Sequence, residues 1–152
     1  MKTEIIPYFG FDKIKFGLTL GQTELLLGKS SENNKESYSD NSSDVILKYH
    51  NLGFNLTFSS DNDFRLGTIT FYSKDFSLKG KKLIGLKETE FVMKSNLIFS
   101  DLQLDDDFTE LNSKDYTSNS NGISFWINNG IVESISIFPN YQKDNETPIW
   151  PN

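Results

Sequence analysis

The 152-residue sequence contains no cysteine, one histidine and four prolines. Without cysteine there are no disulfides, thiolate metal sites, thiol nucleophiles or cysteine-linked lipids. With His50 alone, a two-histidine metal site within one chain is excluded. No apolar run approaches the ~20 residues that a membrane-spanning helix needs. Met1 to Gly10 holds Glu4, Pro7 and Gly10 and lacks the apolar core of a signal peptide, so a cytoplasmic location is expected. Positive charge is also short: fifteen Lys and Arg against twenty-one Asp and Glu leave a formal net charge of -6. Binding to nucleic acid or to an anionic membrane rests on basic side chains, so both are disfavoured, while a basic partner is permitted.

Hydrophobic residues make up only 36% of the chain, but aromatics reach 14%, with thirteen Phe. Aromatic rings bury large areas, so a core is still within reach and disorder is not expected. The length is that of a single domain.

The sequence repeats itself. Phe16-Gly17-Leu18-Thr19 followed by Gln22 to Gly28 is echoed by Ile84-Gly85-Leu86-Lys87 followed by Glu88 to Met93. Gly53-Phe54-Asn55-Leu56-Thr57-Phe58 is echoed by Gly122-Ile123-Ser124-Phe125-Trp126-Ile127, and Leu66 to Phe71 by Val132 to Ile137. Ile84 follows Phe16 by 68 residues, Gly122 follows Gly53 by 69, and Val132 follows Leu66 by 66. Near-constant offsets in one order predict two copies of one unit, about 14–73 and 83–138, with a tail over 139–152.

Each unit reads as a helix followed by strands. Thr19 is a good N-cap and Gly28 a good C-terminal glycine for the apolar run between them. Residues 29–44 are polar and turn-rich and are expected to form a loop. Val45 to Tyr49 suits a strand, and Phe54, Leu56 and Phe58 alternate with polar neighbours in the period of a half-buried strand. Leu66 to Tyr72 returns as its partner. Ile123 to Ile127 and Ile131 to Phe138 flank Asn129-Gly130, a favoured hairpin turn. A second short helix is expected within Asp106 to Leu111. The fold class expected is α+β: two tandem helix-plus-antiparallel-hairpin repeats forming one continuous antiparallel sheet, with the helices on one face.

The segment from Phe16-Gly17-Leu18-Thr19 to Leu27-Gly28 resembles the start of the repeats in β-lactamase inhibitor proteins and in small outer-membrane lipoproteins. The resemblance spans roughly residues 14–138 and implies an antiparallel sheet with helices on one face and an open, concave other face. Those lipoproteins carry a signal peptide and a lipidated cysteine, and the secreted inhibitors carry disulfides; this chain has no cysteine for either. In size, acidity and Asn/Lys/Ile-rich composition it also looks like the small acidic immunity proteins that neutralise toxins delivered between bacteria.

Chemistry-bearing residues are few. His50 lies between two strands with no nucleophile motif beside it, as a turn histidine does. Asp61-Asn62-Asp63 begins like a calcium loop, but Leu66 stands at the required glycine position and Tyr72 at the terminal glutamate. No metal or cofactor is expected. The strongest charge feature is Asp101 to Glu110, whose five carboxylates, Asp101, Asp105, Asp106, Asp107 and Glu110, have no base among them. It reads as a solvated helix start or as a docking patch for a basic partner. On the strands, Asn55, Thr57, Thr68, Thr70, Ser124, Ser134 and Ser136 fall on the outward face, which Tyr72, Trp126 and Phe138 interrupt. Exposed aromatics among small polar residues mark an interface, unless the tail with Trp150 folds over them.

The function expected is non-catalytic binding of one protein partner through Trp126, Phe138, Tyr72 and the acidic run, as an immunity-type inhibitor of a basic toxin domain. An adaptor or homodimeric scaffold using the same face is the second reading, and a carboxylate-dependent hydrolase the third.

Overall fold

The structure is a computed structural model describing residues 1–152. In chain order its strands are β1 (Glu4–Ile6), β2 (Gly10–Phe11), β3 (Ile14–Lys15), β4 (Glu32–Ser37), β5 (Ser43–Tyr49), β6 (Phe54–Ser59) and β7 (Arg65–Phe71). There follow β8 (Ser77–Leu78), β9 (Gln103–Phe108), β10 (Ser113–Ser118), β11 (Ile123–Asn128), β12 (Ile131–Ile137), β13 (Asn140–Tyr141) and β14 (Pro148–Ile149). Helix α1 (Leu20–Leu27) precedes β4 and α2 (Glu88–Ser95) precedes β9. The chain is thus mixed α+β and mostly sheet.

One continuous sheet is not what forms; the strands divide into three sheets. The large one has eight antiparallel strands in the order β4-β5-β6-β7-β12-β11-β10-β9. A second, small sheet has the order β3-β2-β1-β8, with β1 and β8 parallel, and the tail adds the β13–β14 pair. The extra sheets come from segments outside the alternating strands, Glu4–Lys15, Ser77–Leu78 and the tail, whose strands are two or three residues long and leave little periodic signal.

Both hairpins read from the sequence lie side by side in the large sheet, where β7 pairs β12 through Phe71↔Ile135, Thr70↔Ser136 and Ile69↔Ile137. At the β11–β12 turn Asn129 and Gly130 both have positive φ (53° and 76°), the conformation that matches the strand twist. Two segments depart from expectation. Residues 29–44 contain β4, all exposed, where a loop was expected. Residues 106–111 are the end of β9 and one 3-10 turn, not a helix. Both strands sit at the edges of the large sheet, so backbone pairing to one neighbour defines them and their side chains carry no apolar alternation.

α1 begins with a capping box, in which Thr19 accepts from the Gln22 N–H and the Gln22 side chain accepts from the Thr19 N–H. α2 has no side-chain cap; Glu88 and Glu90 in its first turn and Lys94 in its last suit the helix dipole. Leu20 and Leu27 of α1 pack on the core, and Phe91 of α2 meets Phe125 at 4.8 Å between ring centres. Tyr49, buried on that side, donates its hydroxyl to Gly28 O. Phe11 of the small sheet and Phe76, just before β8, complete an aromatic cluster with Phe54 and Phe71. The core therefore lies on one face of the large sheet, under both helices and the small sheet.

The two central strands of that sheet, β7 and β12, are joined to the segments before the two helices in the same way. Gly17 donates to Leu66 O and Leu66 back to Leu18 O; Gly85 donates to Val132 O and Val132 back to Leu86 O. Gly17 and Gly85 share a φ of 92°, a conformation that L side chains rarely adopt. Neither helix is long and apolar enough to cross a membrane.

Candidate protein-binding face

Strand alternation decides which side chains leave the core. In β11, Ile123, Phe125 and Ile127 are buried, so Ser124, Trp126 and Asn128 point to the opposite face. In β6 Phe54, Leu56 and Phe58 go in and Asn55, Thr57 and Ser59 go out. Thr70 and Ser136 share a hydroxyl hydrogen bond of 2.9 Å at the centre of this outward face. No helix covers it.

The three aromatics expected there, Tyr72, Trp126 and Phe138, are each half-buried. The ring of Trp126 lies 5.7 Å from that of Phe108, centre to centre, and Phe108 is itself 41% exposed. The tail does not reach them with its tryptophan. Trp150 lies against Gly17, where a Cβ would stand 3.0 Å from the indole, and shares a recess with Gln22 and Arg65. Three outward-facing polar atoms, Asn55 Oδ1, Tyr72 OH and Thr117 Oγ1, are buried without a hydrogen-bond partner in the protein. Burial, and then the charge of Glu32, push the Tyr72 hydroxyl above its ordinary pKa.

The five carboxylates of the acidic run are not gathered in one place. Asp101 accepts from the Ser118 hydroxyl at 2.6 Å and from the Ser120 N–H at 2.8 Å, bonds that hold its carboxyl below the usual range and pin the turn before β11. Asp107 stands opposite Lys114 in the register of β9 and β10, on the helix side. Glu110 sits in the 3-10 turn after β9. Asp105 and Asp106 are brought instead to Asp115 of β10, with a carboxylate oxygen from each within 4.8 Å of the others. Burial pushes the Asp115 carboxyl up, and the Asp105 and Asp106 charges add to this against the opposing bond from the Ser124 hydroxyl.

Sequence reasoning missed Asp115 and Phe108. The alternation of Lys114, Tyr116 and Ser118 with Asp115 and Thr117 is visible once β10 is recognised. The nearness of Asp115 to Asp106, however, is a matter of register between strands. On the helix side, Glu88 accepts from Lys114 and from the Tyr116 hydroxyl, which ties α2 to β10. His50 stands 3.4 Å from Glu32, both half exposed at the β4 end of the sheet.

Compared with family models, with curated proteins and with solved structures, the chain matches none.

Proposed function

We propose that this chain is a non-catalytic protein-binding inhibitor, of the kind that gives a bacterium immunity to a toxin, and that it acts in the cytoplasm by holding a basic toxin domain on the outward face of the large sheet. The observation that carries the reading is the one-sidedness of that sheet. Helices and small sheet lie on one face, while Trp126, Phe108, Tyr72 and Phe138 stand on the other among serines and threonines. Aromatic anchors surrounded by small polar groups are the usual make-up of an interface centre.

The proposal includes the organisation of the chain: one domain of two related units, about 14–73 and 83–138, with the tail 139–152 clasped on Gly17. The matching links Gly17–Leu66 and Gly85–Val132 support it. Pairing of two copies through the acidic edge is disfavoured, since Asp105, Asp106 and Asp107 would face their own kind across a β9–β9 contact. The test is co-expression with the product of the neighbouring gene in the native genome. The proposal expects a stoichiometric complex and restored growth of cells poisoned by that product. Growth inhibition unrelieved by this chain, with no complex formed, refutes the immunity role.

A further inference from the structure

One row of outward side chains across β9, β10 and β11 reads Asp106, Asp115, Trp126, each directly opposite the next. Asp105, the extra residue at the irregularity in β9, joins the two carboxylates. The symmetric row at the other end of the sheet, across β4, β5 and β6, reads Asn34, Ile46, Thr57. The same backbone frame is therefore built there with neither acid nor aromatic, so the fold does not require them. Like charges directly opposite across a strand pair destabilise a sheet. Nothing basic offsets them here: Lys114, next in sequence to Asp115, is turned to the other face and bonded to Glu88, and the chain's ion pairs all lie elsewhere.

Resting on the protein-binding reading of this face, we propose that the corner formed by Asp105, Asp106, Asp115 and Trp126 receives an arginine side chain of the partner. A guanidinium is planar and forked, so its N–H groups pair two carboxylates while its face lies on an indole. The Phe108 ring, tilted 48° to Trp126 and two residues on from Asp106 in β9, adjoins the site. A lysine ammonium is a strongly hydrated point charge that makes no use of the flat ring surface. A divalent cation uses the carboxylates and ignores the indole. The partner surface is accordingly one that projects an arginine among its basic residues.

The probe is acetyl-Gly-Gly-Arg-Gly-Gly-amide, titrated into the full chain and followed by NMR at the Trp126 indole N–H and at the aspartate carboxyl carbons. Lysine and citrulline versions of the peptide and calcium chloride serve as comparisons. The expected result is a saturable shift of Trp126 together with Asp105, Asp106 and Asp115, at least about threefold tighter for arginine than for lysine and absent for citrulline. It is lost in Asp106→Asn/Asp115→Asn, whose melting temperature is not lowered. No saturable shift, equal response to lysine, or a shift that survives the double variant overturns the arginine site. Tight calcium binding at the three carboxylates with Trp126 unmoved overturns it in favour of a metal. A partner whose affinity falls with Trp126→Ala but not with the double variant refutes the arginine site alone and leaves the protein-binding face standing; indifference to both refutes the two together.

Discussion

Phe125 and Trp126 are consecutive in β11 yet serve opposite faces, so truncating each to alanine measures what each face buries. Phe125 is fully buried, with Phe91 at 4.8 Å and Phe99 at 5.9 Å between ring centres. Phe125→Ala removes a ring from a packed core and is expected to cost about 3–5 kcal/mol. Trp126 is the larger side chain, but its aromatic contact is Phe108, a residue 41% exposed on an edge strand. Its truncation forfeits that aromatic pair, worth about 1 kcal/mol, together with the buried part of a half-buried indole, for roughly 2 kcal/mol in all. For a chain of this length, the first variant should melt roughly 10 °C or more below the parent and the second only a few degrees below. Urea denaturation, with slopes compared to confirm that both variants unfold the same surface, gives the two free energies. Trp126→Ala costing as much as Phe125→Ala would refute the claim that this face is uncovered in the free protein.

Four further substitutions have expected outcomes. Gly21 lies within α1 with nothing within 4 Å of where an added methyl would stand, so Gly21→Ala should raise stability by about 0.5–1 kcal/mol, whereas Gly10→Ala, at φ +137° and with its Cβ driven into the Ile14 carbonyl oxygen, should lower the melting temperature sharply. Burial alone would raise the Glu88 carboxyl, but hydrogen bonds from Tyr116 and Lys114 and the Lys114 charge outweigh it and lower its pKa from 4.5; the stability it contributes is present above pH 4.5 and lost as pH falls through the lowered value. The destabilisation caused by Glu88→Gln at pH 7 should therefore shrink in melts taken at progressively lower pH. Burial, and then the bond to Glu88, push Tyr116 up to about 12, so stability should decline as pH rises from 10.0 toward 12, and Tyr116→Phe should reduce that decline.

How far the sequence spoke depended on whether a residue's role followed from its own neighbours. Phe54, Leu56 and Phe58 announce a one-sided strand because burial on one face imposes period two, and β6 and β11 lie where that pattern puts them. Thr19 and Gly28 likewise marked the ends of α1 through local capping chemistry. Glu32–Ser37 and Gln103–Phe108 gave no such signal, since an edge strand wet on both sides needs no apolar residue. The outward direction of Trp126 was legible from Phe125 and Ile127 on either side of it. The company it keeps was not: Asp115, Asp106 and Phe108 arrive from β10 and β9 through strand register, including a one-residue irregularity at Asp105 that no local pattern specifies.

The proposed partner binds on the outward face of the eight-stranded sheet. The most direct test is a calorimetric titration of the captured toxin domain with the parent chain, with Trp126→Ala, and with Leu25→Ala, which alters α1 on the opposite face at a residue 88% exposed. The expected result is a loss of at least about 2 kcal/mol in binding free energy, roughly thirtyfold in affinity, for Trp126→Ala and no change for Leu25→Ala. Full affinity in Trp126→Ala with a loss in Leu25→Ala would place the interface on the helices and contradict it.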